Sequence, residues 1–276
     1  MTVDVITTTY NNIDKFKICL STVIERTKYV DYKWYLWCND PSDEVKKVVH
    51  DAMYIDDILF NNRIEPIFND TNNGSFSSNN NEAVAEGNSE YILFLNDDVE
   101  PINDTWLLSM TKILDTDPKV GAVGSLLVYP DRNTIQHCGV FFSNRTNNLP
   151  FHMLYKQNIN TCTDFISKPR YYQAVTGACL LARRSDFETI GGFDENFYYC
   201  YEDIGLCLDI HDKCKKMIVY TPGAQLIHHE GISAAKKNNS HLQENIAVFK
   251  NKYANKHYND YEFYMQNLNH MIYKAK

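Results

Sequence analysis

The strongest constraint on the fold is a run of five apolar residues that leads directly into acidic ones. Tyr91–Leu95 reads YILFL, and Asn96, Asp97 and Asp98 follow at once. A strand without alternating polar residues is typical of a parallel sheet that helices cover on both faces. Three earlier β-branched or apolar segments alternate with stretches of helical periodicity: Val3–Thr8, Trp34–Cys38 and Ile64–Phe68. This order predicts an α/β fold with a mostly parallel, Rossmann-like sheet flanked by helices.

Beyond Asp98 the pattern is less regular. Helices are predicted at Trp106–Leu114 and Glu202–Lys213, whereas Arg145–Lys168 is polar and is predicted to form a long loop or lid. From Ser240 the chain becomes helical again. The other segments of this half are predicted as short strands: Val120–Val128, Val175–Leu181, Ile218–Thr221 and Ala224–His228.

Charge and composition exclude several classes of protein. The 276 residues carry 27 Lys and Arg against 35 Asp and Glu, a net charge of −8. This balance argues against a dedicated nucleic-acid binder, whose affinity would depend on clustered positive charge. Apolar runs are far shorter than the ~20 residues that span a bilayer. With no secretory leader in the sequence, we expect a cytoplasmic location, with any membrane contact peripheral, and reduced thiols for the eight cysteines.

The acidic residues after the buried strand predict a binding site. In an open α/β sheet, ligands bind in the crevice beyond the carboxyl ends of the strands. Adjacent carboxylates there repel each other unless water or a cation neutralises them, and Mg²⁺ or Mn²⁺ takes oxygen ligands together with substrate phosphates. Asp97 and Asp98 therefore indicate a metal–diphosphate site. The alternative is a solvated turn at the end of the strand.

The residues after the first strand exclude two common nucleotide folds. A dinucleotide-binding fold would continue with glycines, but the chain reads TTTYNN from Thr7. A P-loop motif is also missing from the sequence. Threonine hydroxyls and a tyrosine ring at a strand end suit a pyrimidine base, which could stack on the ring and form hydrogen bonds at its edge.

Five longer segments carry motifs in a defined order. They are VDVITTTYNN, NGSFSSNNNEAVAEGNSEYILFLNDDVEP, PKVGAVGSLLVYPD with IQHCGV, AVTGACLLARRSDFETIGGFDENFYYCYEDIGLCL, and VYTPGAQLIHHEGIS. Together they resemble the family 2 glycosyltransferases, which have the GT-A fold, and within them the rhamnosyltransferase-like branch. The resemblance implies a catalytic domain over residues 1–238, with a nucleotide-binding half at about 1–100 and a smaller acceptor half at about 101–238. Residues 239–276 would form a C-terminal helical extension.

The resemblance also implies where the nucleotide-sugar donor binds. Thr8 and Tyr10 match residues that contact the nucleotide base, and Thr9 between them belongs to the same implied donor site. Asn39 stands where many members have an Asp that binds the pyrimidine ring, so its amide carbonyl would accept from the ring N–H without a charge. Backbone without bulky side chains would approach the sugar at Gly177 and Ala178. The other implied donor-binding residues are Asn73, Phe76, Asn96 and Asp97.

A divalent cation, Mn²⁺ or Mg²⁺, is implied by the same comparison. Asp98 matches the metal-binding aspartate of the family's aspartate-x-aspartate motif, while Asn96 replaces the first aspartate. Asp97 would support Asp98. His228 matches a histidine that completes the metal shell in several relatives, and the neighbouring His229 is the alternative ligand.

The catalytic acids are implied at Glu202 and Asp203, which match the family's acidic pair. Asp203 is expected to act as the base that takes a proton from the acceptor hydroxyl. Glu202 could be the base instead, or bind the acceptor sugar. An acid in the first turn of a helix could also simply complement the helix dipole.

These inferences predict a metal-dependent, inverting glycosyltransferase. It would move a sugar, rhamnose among the candidates, from a UDP- or dTDP-sugar to a hydroxyl of a glycan or glycolipid. A nucleotide-sugar or glycan-binding module with weak catalysis is the alternative, because Asn39 and Asn96 depart from the family pattern. The aromatic C-terminal stretch is expected to dock on the catalytic domain, with a homodimer contact or a membrane-surface contact as alternatives.

Overall fold

The computed structural model describes residues 2–10, 12–60, 62–71, 75–198, 200–230, 240–266 and 272–274. Asn73, one of the implied donor-binding residues, lies outside this part of the chain. Within it, no helix has both the length and the apolar character that crossing a bilayer requires.

Strands and helices alternate through the first half and become irregular in the second. The strands are β1 (Thr2–Thr9), β2 (Asp31–Asn39), β3 (Ile64–Asn69), β4 (Tyr91–Leu95), β5 (Val99–Pro101), β6 (Val120–Val128), β7 (Ile135–His137), β8 (Val140–Phe142), β9 (Pro150–His152), β10 (Arg170–Tyr172), β11 (Cys179–Arg183) and β12 (Met217–His228). The helices are α1 (Ile13–Arg26), α2 (Asp43–Phe60), α3 (Phe76–Ala85), α4 (Trp106–Thr116), α5 (Thr163–Ile166), α6 (Arg184–Ile190), α7 (Glu202–Cys214), α8 (Ser240–Tyr253) and α9 (Tyr261–Gln266).

The central sheet brings the ends of several strands to one edge. Its strand order is β10-β12-β6-β11-β4-β1-β2-β3, with β5 beside β12 and β7 beside β6. The strands β1 to β4 are parallel, as predicted, so Thr9 and Asn96 end on the same side. β11 runs antiparallel to β4 and pairs Cys179 with Leu95, which carries Gly177 and Ala178 to this edge. β12 pairs His228 with Val99, just after the two aspartates.

Side chains on both faces of the sheet form the core. Trp34 and Trp106 are fully buried on one face, and Phe94 and Phe197 on the other. A buried ion pair, Arg184 Nη2 to Asp4 Oδ2 at 2.7 Å, joins α6 to β1 and so connects the two halves of the chain. All eight cysteines are unpaired in the structure, and five of them are buried.

The structure corrects several predicted elements of the second half. The segment Arg145–Lys168 is not a simple loop, because it contains β9, which pairs with β8, as well as α5 and two turns of 3₁₀ helix. The two strands predicted at Ile218–Thr221 and Ala224–His228 are one strand, β12, whose register shifts between Thr221 and Gln225. The strand predicted from Val175 begins only at Cys179. The short and irregular strands offer too few residues for a period of two to be visible.

Candidate active site

A cavity of about 610 Å³ opens at the carboxyl edge of the sheet. Its lining includes most of the residues that the sequence singled out: Thr8, Thr9, Tyr10, Asn39, Phe76, Asn96, Asp97, Asp98, Gly177, Ala178, Glu202, Asp203 and His228. His229 is not among the lining residues. These positions are far apart in the sequence, and the convergence of β1, β4, β11, β12 and α7 places them around one space.

Asp98 and His228 form the centre of one wall. The Oδ1 atom of Asp98 lies 3.1 Å from Nε2 of His228, and Asp98 is buried. Nδ1 of His228 lies 2.6 Å from Oε1 of Gln136. Gln136 donates from Nε2 to Glu230 at 3.4 Å, which turns its carbonyl toward His228. His228 therefore donates from Nδ1 to the Gln136 carbonyl, and its Nε2 faces the Asp98 carboxylate.

Two further residues of the acidic turn are held by hydrogen bonds. Asn96 Nδ2 lies 3.3 Å from His228 Nε2, so the amide that replaces the first aspartate of the motif donates to the imidazole. Thr9 donates from Oγ1 to Asp97 Oδ2 at 2.6 Å. Burial, together with the adjacent charge of Asp98, raises the pKa of Asp97 to about 7. Asp97 therefore holds its proton more firmly than an ordinary aspartate does.

His229 points to different partners. Its Nε2 lies 2.5 Å from Oε1 of Glu100, and its Nδ1 lies 3.1 Å from the Lys15 ammonium. Both ring nitrogens are therefore engaged outside the cavity. The structure brings His228, rather than its neighbour, to the acidic turn.

The residues expected to bind the nucleotide base also line the cavity. Tyr10 lines the cavity and is half exposed, so its ring is accessible to a ligand. Asn39 is buried, and its Oδ1 already accepts from Trp37 Nε1 at 3.1 Å. The nearby Asn79 also lines the cavity, and its buried Oδ1 has no hydrogen-bond partner among the described residues. Sequence reasoning missed Asn79, because the chain has three asparagines in a row there.

Asp203 is held by backbone donors at the start of α7. Its Oδ2 accepts from the N–H of Gly177 at 2.7 Å, and its Oδ1 accepts from the N–H of Ile204 at 2.8 Å. A Cβ atom on Gly177 would lie only 3.1 Å from the Cβ of Asp203. Glycine at this position therefore allows the backbone to approach the carboxylate. The preceding Cys200 and Tyr201 have φ of 75° and 74°, which turns the chain sharply into the helix.

Glu202 differs from its neighbour in having an unsatisfied oxygen. Its Oε2 is buried and has no hydrogen-bond partner within the described chain. Burial and then the charge of Asp203 raise the pKa of Glu202, and burial also raises the pKa of Asp203 against its N–H donors. The two N–H donors stabilise the ionised form of Asp203, whereas the buried Oε2 of Glu202 has no such donor among the described residues.

The C-terminal extension contributes directly to the site. Leu242 of α8 lines the cavity, and Asn245 accepts from the N–H of Tyr198 at 3.2 Å. The buried Phe249 and Tyr253 pack onto the catalytic domain, and Tyr253 donates to Asp209 of α7 at 3.3 Å. Docking within the chain, the first of the alternatives for this segment, is therefore observed.

The electrostatic character of the cavity is acidic. Five carboxyl groups line it: Asp97, Asp98, Glu202, Asp203 and Glu230. The described lining residues include no Lys or Arg. They also contain no ready-made group of three or more His, Cys, Asp or Glu side chains that could hold a metal ion. A bound cation would therefore need ligands from outside these side chains, and the oxygens of a diphosphate supply them.

Comparison with known proteins identifies the family. A model described as Glycosyl transferase family 2 matches residues 4–191. The chain belongs to this family. It carries the glycosyltransferase domain of this family, and the predicted family is therefore confirmed.

Two curated relatives match parts of the chain. The O-antigen biosynthesis protein RfbC of Myxococcus xanthus is 37% identical over 149 residues, which are 52% of this chain and 11% of that protein. An N-acetylglucosaminyl-diphospho-decaprenol L-rhamnosyltransferase of Mycobacterium tuberculosis is 39% identical over 71 residues, or 25% of this chain and 22% of that protein. The matches thus span a small part of these longer relatives.

Solved structures share the fold. A mannosyltransferase from Pyrobaculum calidifontis, solved with GDP-Man and Mn²⁺, superposes with a TM-score of 0.60 at 16% identity, over 83% of this chain and 57% of that one. GalNAc-T7, solved with UDP, GalNAc and Mn²⁺, gives a TM-score of 0.70 at 14% identity, over 93% and 49%. The predicted GT-A type of α/β fold is confirmed.

Proposed function

We propose that this glycosyltransferase is metal-dependent and inverting. It moves a sugar from a UDP- or dTDP-sugar, with rhamnose as the first candidate, to a hydroxyl of a glycan or glycolipid. The observation that carries the proposal is the pair formed by Asp98 and His228, which Gln136 orients inside an acidic cavity.

The charge of the cavity supports the need for a cation. A nucleoside diphosphate brings negative charge into a space whose described lining offers five carboxyl groups and no basic side chain except imidazole. Repulsion between these groups and the phosphates would oppose binding. A divalent cation between them reverses the sign of this interaction. The cations in the Pyrobaculum and GalNAc-T7 structures are consistent with this requirement.

Asp98 and His228 fit such an ion. Neighbouring ligands of an octahedral ion at about 2.1 Å lie roughly 3 Å apart, and Asp98 Oδ1 and His228 Nε2 are separated by 3.1 Å. Gln136 accepts the other imidazole proton, which is the usual way in which a protein keeps a histidine ready for a metal. When bound, the ion would act as a Lewis acid on the departing diphosphate.

Asp203 is suited to be the base. Its carboxylate faces the cavity and is oriented by the N–H groups of Gly177 and Ile204. In the proposed reaction, the acceptor hydroxyl gives its proton to Asp203 while its oxygen forms a bond to the anomeric carbon. The bond from that carbon to the diphosphate oxygen breaks, and the nucleoside diphosphate leaves with the electron pair. A single displacement of this kind inverts the anomeric centre.

The donor end of the cavity suits a pyrimidine nucleotide. Tyr10 would stack on the base, and Thr8 and Thr9 would lie beside it. The side-chain carbonyl of Asn39 already accepts a hydrogen bond from Trp37. It would therefore accept a second one from the ring N–H of the nucleotide base with its other lone pair. Gly177 and Ala178 would pass close to the transferred sugar, while Phe76 borders the nucleotide.

The test is donor cleavage by the purified chain. UDP-, dTDP- and GDP-sugars are incubated with Mn²⁺, and release of the nucleoside diphosphate is measured with and without excess chelator. We expect a pyrimidine donor to be cleaved slowly, and the activity to disappear with the chelator. Activity that survives metal removal would contradict the metal assignment.

Variants separate the metal and base roles. Asp98→Asn should weaken donor binding in the presence of Mn²⁺, whereas Asp203→Asn should bind donor normally and lose transfer. The exposed Asp57 on α2 provides the matched control, and Asp57→Asn should behave as the parent chain. A fully active Asp203→Asn would refute the assignment of the base.

A further inference from the structure

A pair of histidines connects the cavity wall to the backbone segment that holds Asp203, the proposed catalytic base. His137 ends β7 and is fully buried, whereas His152 ends β9 and lines the cavity. Their Nδ1 atoms are 2.8 Å apart. Thr176, next to Gly177, directs its backbone N–H at Nε2 of His137 over 3.4 Å. None of these contacts takes part in the reaction described above.

The direction of each hydrogen bond follows from what each group can do. A backbone N–H can only donate, so Nε2 of His137 is the acceptor. Burial lowers the pKa of His137 well below its usual range and that of His152 to about 4, so both rings are neutral at pH 7. His137 then carries its single proton on Nδ1 and donates it to Nδ1 of His152. The proton of His152 is therefore on Nε2.

The fixed proton is available to a ligand. Nδ1 and Nε2 lie on opposite sides of an imidazole, and Nδ1 of His152 faces the buried His137. No described residue accepts a hydrogen bond from Nε2 of His152. The neighbouring Phe151 also lines the cavity and leaves 44% of its surface exposed. This wall, on the β8–β9 hairpin, thus combines an apolar ring with one polar N–H.

We infer that His152 positions the acceptor by donating from Nε2 to an oxygen of a saccharide whose apolar face covers Phe151. The inference rests on the proposed function. A pyranose has both features that this wall requires, because its C–H groups can cover an aromatic ring while its oxygens accept hydrogen bonds at the edge. The segment Thr176–Gly177 connects the acceptor-binding histidine with the catalytic base. The N–H of Thr176 fixes the tautomer of His137, and through it that of His152, while the N–H of Gly177 holds the carboxylate of Asp203.

The tautomer can be tested without any substrate. In ¹⁵N-labelled protein, NMR of the imidazole nitrogens should show the His152 proton on Nε2 and a bare Nδ1. His137→Gln retains an N–H donor and a carbonyl acceptor and should preserve this state, whereas His137→Leu should lose it. A proton on Nδ1 of His152 in the parent protein would overturn the inference.

The binding role is tested with three soluble acceptors: methyl α-L-rhamnoside, methyl β-D-N-acetylglucosaminide and methyl β-D-galactoside. At least one should shift the His152 Nε2–H signal when UDP and Mn²⁺ are present, and should accept sugar from the cleaved donor. His152→Phe should then raise the KM for that acceptor roughly tenfold, the loss of one ordinary hydrogen bond, while the KM for donor stays constant. His211→Phe, at an exposed position, is the control.

The outcomes separate this inference from the proposed function. If no donor is cleaved in a Mn²⁺-dependent manner, the proposed function fails. If donor is cleaved but none of the three glycosides shifts the His152 signal, or if His152→Phe leaves the acceptor KM unchanged, the inference about His152 alone is wrong.

Discussion

Replacing Gln136 with leucine tests whether His228 is prepared for a metal. Gln136 is buried and accepts the Nδ1 proton of His228 at 2.6 Å, while its own amide is fixed by Glu230. Leucine has nearly the same volume but no acceptor. The Gln136→Leu variant would therefore leave a buried N–H unsatisfied and free the imidazole to rotate or to move its proton to Nε2, where the ion would bind.

The magnitude follows from the role of such outer partners. Loss of a hydrogen bond to a metal-binding histidine typically lowers metal affinity 10- to 100-fold, equivalent to about 1.4 to 2.8 kcal/mol. Donor cleavage measured against Mn²⁺ concentration should thus give an activation constant that is higher by this factor, with little change in the rate at saturating Mn²⁺. The donor KM measured at saturating metal should also stay near the parent value.

A second glutamine, on another strand of the same sheet, provides the control. Gln225 lies on β12, is not among the described residues that line the cavity, and donates from its side chain to the Pro222 carbonyl. Gln225→Leu should leave the Mn²⁺ activation constant unchanged. If Gln136→Leu and Gln225→Leu give the same Mn²⁺ dependence as the parent, Gln136 does not orient a metal ligand, and the metal assignment of His228 loses its main support.

Three further predictions address the base and the connection between the halves. Glu202 binds its proton more tightly in the folded chain than in the unfolded one, so its protonation stabilises the fold fully below the ordinary pKa of 4.5, and this contribution is lost as the pH rises through about 8. In urea unfolding, the free energy of the Glu202→Gln variant should not show this decline with pH. A pH profile identical to that of the parent would refute the raised pKa. Gly177→Ala places a Cβ 3.1 Å from that of Asp203 and should lower kcat about 100-fold; unchanged kcat would contradict the close approach. Asp4→Asn removes the carboxylate that pairs with the half-buried Arg184 and should lower the free energy of unfolding by about 1.5 to 3 kcal/mol. A loss below ~0.5 kcal/mol in urea unfolding would show that the pair is not needed.

The first hundred residues were predictable because their signals are local. A buried parallel strand such as Tyr91–Leu95 needs apolar residues throughout, and the helix at Ile13–Arg26 repeats its apolar positions every three or four residues. Each pattern is contained within its own element. The parallel order then follows because the connecting helices are long enough to return the chain to the same end of the sheet.

The second half depends on contacts between distant residues. Strands β8 and β9 have three residues each, which is too short for any periodic signal, and they exist because Val140 pairs with His152 across the hairpin. The relation of Gln136 to His228 joins residues 92 positions apart. The pattern of either segment alone contains no trace of these pairings.

The sequence by itself was therefore enough to predict the family, the acidic turn after β4 and the acids that begin α7, because each of these is recognised from contiguous residues. It left open which member of each adjacent pair would act. Only the tertiary structure shows that His228 lies beside Asp98 while His229 contacts Glu100 and Lys15, because β12 ends there and the two rings point to different sides. It also brought the N–H of Gly177, in the turn before β11, to the carboxylate of Asp203, because packing joins two segments that are distant in the sequence.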